Sequence, residues 1–95
     1  MPIVVTLDLS ILPEKIPEAP AGLEEILDVT RTRPGCLEVD LLVDLADPSH
    51  ILIVEKWESI ADDANYRAWR ASPEGASDFR TFLAAPPVTF SFDVH

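Results

Sequence analysis

His50-Ile51-Leu52-Ile53-Val54-Glu55-Lys56-Trp57 is the run on which the fold turns. Its β-branched and apolar residues read as a strand. Ile51, Ile53, Glu55 and Trp57 share one side; Leu52 and Val54 share the other. A strand apolar on both sides is covered on both sides. Helices of the same chain can cover one face of its sheet. The other face needs something else.

Working outward, Asp47-Pro48-Ser49 is a turn signal before this strand. Residues 36–44 form the strand before that, with Leu37, Val39, Leu41 and Val43 expected on one face and Glu38, Asp40 and Asp44 on the other. Pro34-Gly35 ends a helix that starts near Pro20, because proline is tolerated only in a first helical turn. Leu23, Ile26, Leu27 and Thr30 give its buried stripe. Glu18, Glu24 and Glu25 early, with Arg31 and Arg33 late, are expected to complement its dipole. Residues 2–11 alternate as a first strand, Ile3, Val5, Leu7, Leu9 and Ile11 on one face.

Downstream of Trp57, Ser59 and Asp62 have capping-box spacing. The helix they open carries Ile60, Ala64, Tyr66, Ala68 and Trp69, and Ser72-Pro73 breaks it. Phe79, Phe82 and Leu83 continue a helical stripe toward Ala85, and Pro86-Pro87 ends it. Val88, Phe90, Phe92 and Val94 alternate with polar residues as a last strand. The order β-α-β-β-α-β, with right-handed crossovers, predicts a ferredoxin-like α+β fold: a four-stranded antiparallel sheet with both helices on one face. The first and third strands, the most apolar, become the central pair. No further element remains for the second face, so the expected cover is a second copy of the chain.

The length, 95 residues, fits one domain spanning 1–95. Seven basic against 17 acidic residues leave a net charge of −10, which repels phosphate backbones and anionic headgroups. Nucleic acid and membrane are therefore not expected partners. Cys36 is the one cysteine, which fits a reducing cytoplasm. The first ten residues lack the basic start and apolar run of a signal peptide. His50 and His95 form no metal-ligand spacing, and Gly22, Gly35 and Gly75 form no phosphate-cradling loop, so neither a metal nor a nucleotide cofactor is expected.

Four strings in order, Thr32-Arg33-Pro34-Gly35-Cys36-Leu37, Asp47-Pro48, Glu55-Lys56-Trp57-Glu58-Ser59 and Arg70-Ala71-Ser72-Pro73, resemble the antibiotic-biosynthesis-monooxygenase family. The resemblance implies a dimeric α+β barrel, two sheets packed face to face, and oxygen insertion into an electron-rich aromatic or polyketide-like small molecule without metal or flavin. Some members use an Asn–Trp–Tyr set. Trp57 matches the Trp, Tyr66 matches the Tyr of a slightly longer helix, and the Asn position falls on Ile53. A family His late in the second helix falls on Trp69. Residues 59–85 hold no His, so the haem-degrading chemistry of related folds is not expected.

These residues define an expected site. Trp57 would donate its indole N–H to a substrate oxygen or stack on a ring; the plain alternative is a core residue sealing helix to sheet. Tyr66 would donate to substrate or accept its proton. Glu55, on the side of Ile53 and Trp57, is a candidate base, or simply half of an ion pair. Trp69, Ile53 and Phe79 are expected to contact substrate. Cys36 is read as a small buried residue rather than a nucleophile. Two other classes of function stay open: a small-molecule-binding or accessory protein without chemistry, and an isomerase- or decarboxylase-type barrel enzyme.

Overall fold

The computed structural model describes residues 1–95. Its elements are β1 (Ile3–Ser10), α1 (Ala19–Arg31), β2 (Cys36–Val43), β3 (His50–Trp57), α2 (Ile60–Arg70) and β4 (Val88–Asp93). Short 3-10 turns occupy Pro13–Lys15 and Phe79–Phe82. The strands form one antiparallel sheet in the order β2-β3-β1-β4. This is the ferredoxin-like arrangement, with the two most apolar strands at its centre.

The β1–β3 register explains the core. Ile3 lies opposite Trp57, Val5 opposite Glu55, Leu7 opposite Ile53 and Leu9 opposite Ile51. All eight are buried, with Leu23, Leu27 and Thr30 of α1 and Tyr66 of α2 above them. The intervening residues, Val4, Thr6, Leu52, Val54 and Lys56, are only half-covered. They share the opposite face with Val88, Phe90 and Phe92 of β4, which pair with Asp8, Thr6 and Val4 and are 53%, 56% and 52% exposed. The molecule is 20 Å through its short dimension, the thickness of one sheet and one helix layer. Within the chain, nothing covers that second face.

Three expectations are corrected. First, β2 does not keep its four aliphatics on one face: a bulge between Cys36 and Glu38 displaces Leu37, which is 51% exposed. One inserted residue flips the parity of everything before it. Val43 keeps the inward parity, opposite Ile51, but ends an edge strand and is 42% exposed. Second, Phe79–Leu83 is a single 3-10 turn, and Leu83 already has extended backbone. Phe82 is driven into the core instead, where its ring occupies the space a Cβ on Gly22 would need, 2.6 Å away. Third, no acidic residue lies in the first turn of α1. Glu24 instead pairs with Arg31 at 3.0 Å.

The stops and starts follow the sequence. Pro20 sits in the first turn of α1. Gly35 follows α1 at φ 81°, and a Cβ there would stand 2.2 Å from the Asp62 carboxyl carbon. Glycine thus satisfies both the left-handed turn and the close approach of α2. Ser59 caps α2 by accepting from the Asp62 N–H at 3.1 Å. No helix is long and apolar enough to cross a membrane.

The β2–β3 turn carries a charge clamp. His50 Nδ1 meets Asp44 Oδ2 at 2.8 Å and Nε2 meets Asp8 Oδ1 at 3.0 Å. With both ring nitrogens facing carboxylates, the charged imidazolium is favoured and its pKa rises from 6.5 to about 9. The folded state thus holds this proton more tightly than the unfolded chain does. The stabilisation is complete below pH 6.5 and fades as pH climbs through about 9. Melting temperatures across that window should therefore fall more steeply in the native chain than in His50→Gln. Parallel curves would refute the clamp.

Candidate functional site

A cavity of about 480 Å³ opens on the helical side of the sheet. Leu7, Ile53 and Thr89, neighbours across three strands, form its floor. Ile26 and Leu27 of α1, Tyr66 of α2 and the segment around Phe79 wall it. The volume lies in the range of small-molecule pockets. Trp57, expected either to meet a substrate or to seal helix to sheet, stands in the core. It is fully buried and does not line the cavity; the space lies beyond Glu55 and Tyr66.

Glu55 is the unusual member. It is 2% exposed, on a central strand, and lines the cavity. Strand parity puts it beside Trp57, whose indole N–H donates to its Oε1 at 3.0 Å. Arg67, reaching from α2, donates to the same oxygen and also pairs with Asp63 at 3.1 Å. Two donors on one oxygen neutralise a charge that would otherwise be very costly to bury. Oε2 takes no hydrogen bond from the chain. The Trp57 N–H is thus spent on Glu55, and the indole holds the carboxylate.

Tyr66 is anchored just as firmly. Its ring lies 4.8 Å from that of Trp57. Its hydroxyl shares a 2.7 Å hydrogen bond with the Thr30 hydroxyl and accepts from Arg70 Nε at 2.7 Å. Arg70 also donates to the Ile26 carbonyl at 3.0 Å, the Thr30 hydroxyl at 3.1 Å and the Gly75 carbonyl at 3.2 Å. This one guanidinium therefore fastens α1, α2 and the segment after α2 around the Tyr66 oxygen.

The structure brings Glu55, Tyr66, Ile53 and Phe79 together on the cavity wall and leaves Trp57 and Trp69 off it. Trp69 packs on the far side of Tyr66, ring centroids 6.3 Å apart, with the Arg33 guanidinium 3.9 Å over its face. Cys36 is off the wall too; burial, then the charge of Glu55, pushes its thiol pKa up, which fits an unreactive sulfur. Sequence reasoning missed Arg67, Arg70 and Arg80, all cavity-lining, and Thr30 as a hydroxyl partner. The signal was Tyr66-Arg67 with Arg70 one turn on, a spacing that puts Tyr66 and Arg70 on the same side of a helix.

Solved structures share this architecture. An antibiotic biosynthesis monooxygenase crystal structure is 26% identical, with a TM-score of 0.79 over 100% of this chain and 99% of that one. A conserved protein from Methanosarcina mazei Go1 is 16% identical, TM-score 0.81, covering 97% of this chain and 91% of its own. A Mycobacterium tuberculosis protein is 18% identical, TM-score 0.80, over 100% and 96%. These last two show the fold alone. Comparison with curated proteins finds no match. The sequence itself matches the pattern described as antibiotic biosynthesis monooxygenase across residues 2–82, from the first strand to the buried Phe82. With most of its length matched and its sheet order, helices and central strands in agreement, the chain belongs to the antibiotic biosynthesis monooxygenase family.

Proposed function

We propose that the chain is a monooxygenase-like oxidoreductase that acts on an electron-rich aromatic or polyketide-like small molecule without metal or flavin. The observation that carries this reading is Glu55: a buried carboxylate on the cavity wall with one oxygen held by Trp57 and Arg67 and the other unbonded. In this reading Oε2 takes a proton from an activated C–H or phenolic O–H of the substrate. The resulting anion gives an electron to dioxygen, and the radical pair combines. For an anthrone-type CH₂ the balance closes without an outside reductant: CH₂ and O₂ become C=O and H₂O. Trp57 keeps Glu55 oriented, Tyr66 orients the ring, and Ile53 and Phe79 exclude water.

The working form in this proposal is a homodimer closed through the open sheet faces. The exposed row Val88, Phe90 and Phe92, continuous with half-covered Val4, Leu52 and Val54, supports it. Burying such a patch is the dominant favourable term in association.

The test is oxygen uptake by chelator-treated protein supplied with anthrone. The expected result is a saturable rate that Glu55→Gln reduces at least about a hundredfold, the usual worth of a positioned base. Buffer-level rates with anthrone and several related phenols would sink the enzymatic reading. Binding without turnover is the second reading, favoured by Ile53 at the family Asn position and by the committed Trp57 N–H. Saturable quenching of tryptophan fluorescence with no oxygen consumed would select it.

A further inference from the structure

We infer that the ligand of this cavity carries a fixed negative charge, a carboxylate, received by Arg80 together with Arg70. The inference rests on the reading of the cavity as an aromatic small-molecule site and adds the charge class of what enters. Its ground is where the cations sit. The chain has 7 Lys and Arg against 17 Asp and Glu. Yet Arg67, Arg70 and Arg80 all line this one cavity, facing only Glu55 and Asp78 among acidic lining residues. A molecule of net charge −10 thus presents its cavity wall with an excess of positive charge.

The three arginines are not equivalent. Arg67 is neutralised by Glu55 and Asp63. Arg70 has no carboxylate partner; every acceptor it uses is a carbonyl or a hydroxyl. Those bonds hold the guanidinium in place in a half-buried position, where its charge meets the faces of Trp69 and Tyr66, 5.0 and 5.3 Å away, and no anion. One of its five N–H groups remains unused, on Nη1. The Arg80 side chain makes no hydrogen bond and no ion pair within the chain, and the residue is exposed at the cavity. A pre-positioned guanidinium with no anionic partner and a free one on the same wall are the ordinary means of receiving a carboxylate. A neutral ligand would leave both charges unused, and a cationic one would be repelled by both.

Charge and aromatic binding separate in a matched pair of probes: a hydroxynaphthoate and the corresponding hydroxynaphthamide, equal in shape and differing in charge. Titration calorimetry on the full chain at low salt should show the carboxylate binding about tenfold more tightly, the worth of one charge-assisted contact. The preference should shrink as salt is raised. It should fall to about threefold or less in Arg80→Gln, whose side chain contributes no bond to the fold. Arg70→Gln is avoided because that side chain fastens three segments. If the amide binds the native chain as tightly as the carboxylate, the charge inference is overturned while the aromatic site stands. A preference undiminished in Arg80→Gln overturns the assignment to Arg80. No heat from either probe at millimolar concentration overturns both this inference and the aromatic site on which it rests.

Discussion

Trp57→Ala should cost about 3–5 kcal/mol in urea unfolding, the range for removing a fully buried tryptophan. That is a large share of the roughly 5–15 kcal/mol that holds a domain of this size. Trp57 lies at the end of β3, opposite Ile3 on β1 and Cys36 on β2, and is among the largest fully buried side chains. Its loss removes the ring against Tyr66 and one of two donors to Glu55. Trp57→Phe separates these effects. It retains most of the ring and costs about 1.5–3 kcal/mol, the worth of a hydrogen bond to a charged group. A Trp57→Ala chain within about 1 kcal/mol of the native one would show that the indole is not the keystone described. Protein concentration is held constant throughout, because association would otherwise shift the midpoints.

This residue shows how far sequence reading reaches. Strand parity placed Glu55, Ile53 and Trp57 on one side, and they lie there. Parity alone left open whether the indole N–H pointed at a ligand or at the carboxylate two residues back; the structure gives it to Glu55. Phe79, Phe82 and Leu83 have spacings that suit a long helix and a single tight turn equally, and the vacancy above Gly22 decides between them. The Leu37 bulge left no mark on the alternating pattern, because one extra residue is invisible until the partner strand is known. The helix spacing put Arg70 on the side of Tyr66, yet the inward turn of the arginines was not legible, for a different reason. Charged side chains on a helix are ordinarily solvated; here the buried Glu55 on β3 draws Arg67 inward, and α1 with the segment after α2 draws in Arg70.

Phe90→Asp combined with Phe92→Asp should convert a pair of subunits into single ones at micromolar concentration, read by sedimentation. The native chain should sediment as a pair. Both rings stand on the outer face of β4, 6.4 Å apart and more than half exposed, so the substitution leaves the buried core intact. In a closed pair the same positions would bury carboxylates without partners. That raises the dissociation constant roughly a thousandfold or more. Circular dichroism should show the fold retained. A native chain that sediments as a single subunit, or a doubly substituted chain that still pairs, would refute the proposed association.

The central pairing of β1 with β3 has a consequence for how the chain is made. The β2–β3 hairpin closes over a short turn and can form as soon as it leaves the ribosome. β1 emerges first, yet its centre-sheet partner is half a chain away. During synthesis Ile3, Val5, Leu7 and Leu9 therefore wait as an unpaired apolar strand, the kind of segment that invites aggregation. β4, which follows β1, β2 and β3 in the chain, then closes the free side of β1. Truncation before Val88 would leave that strand edge permanently open.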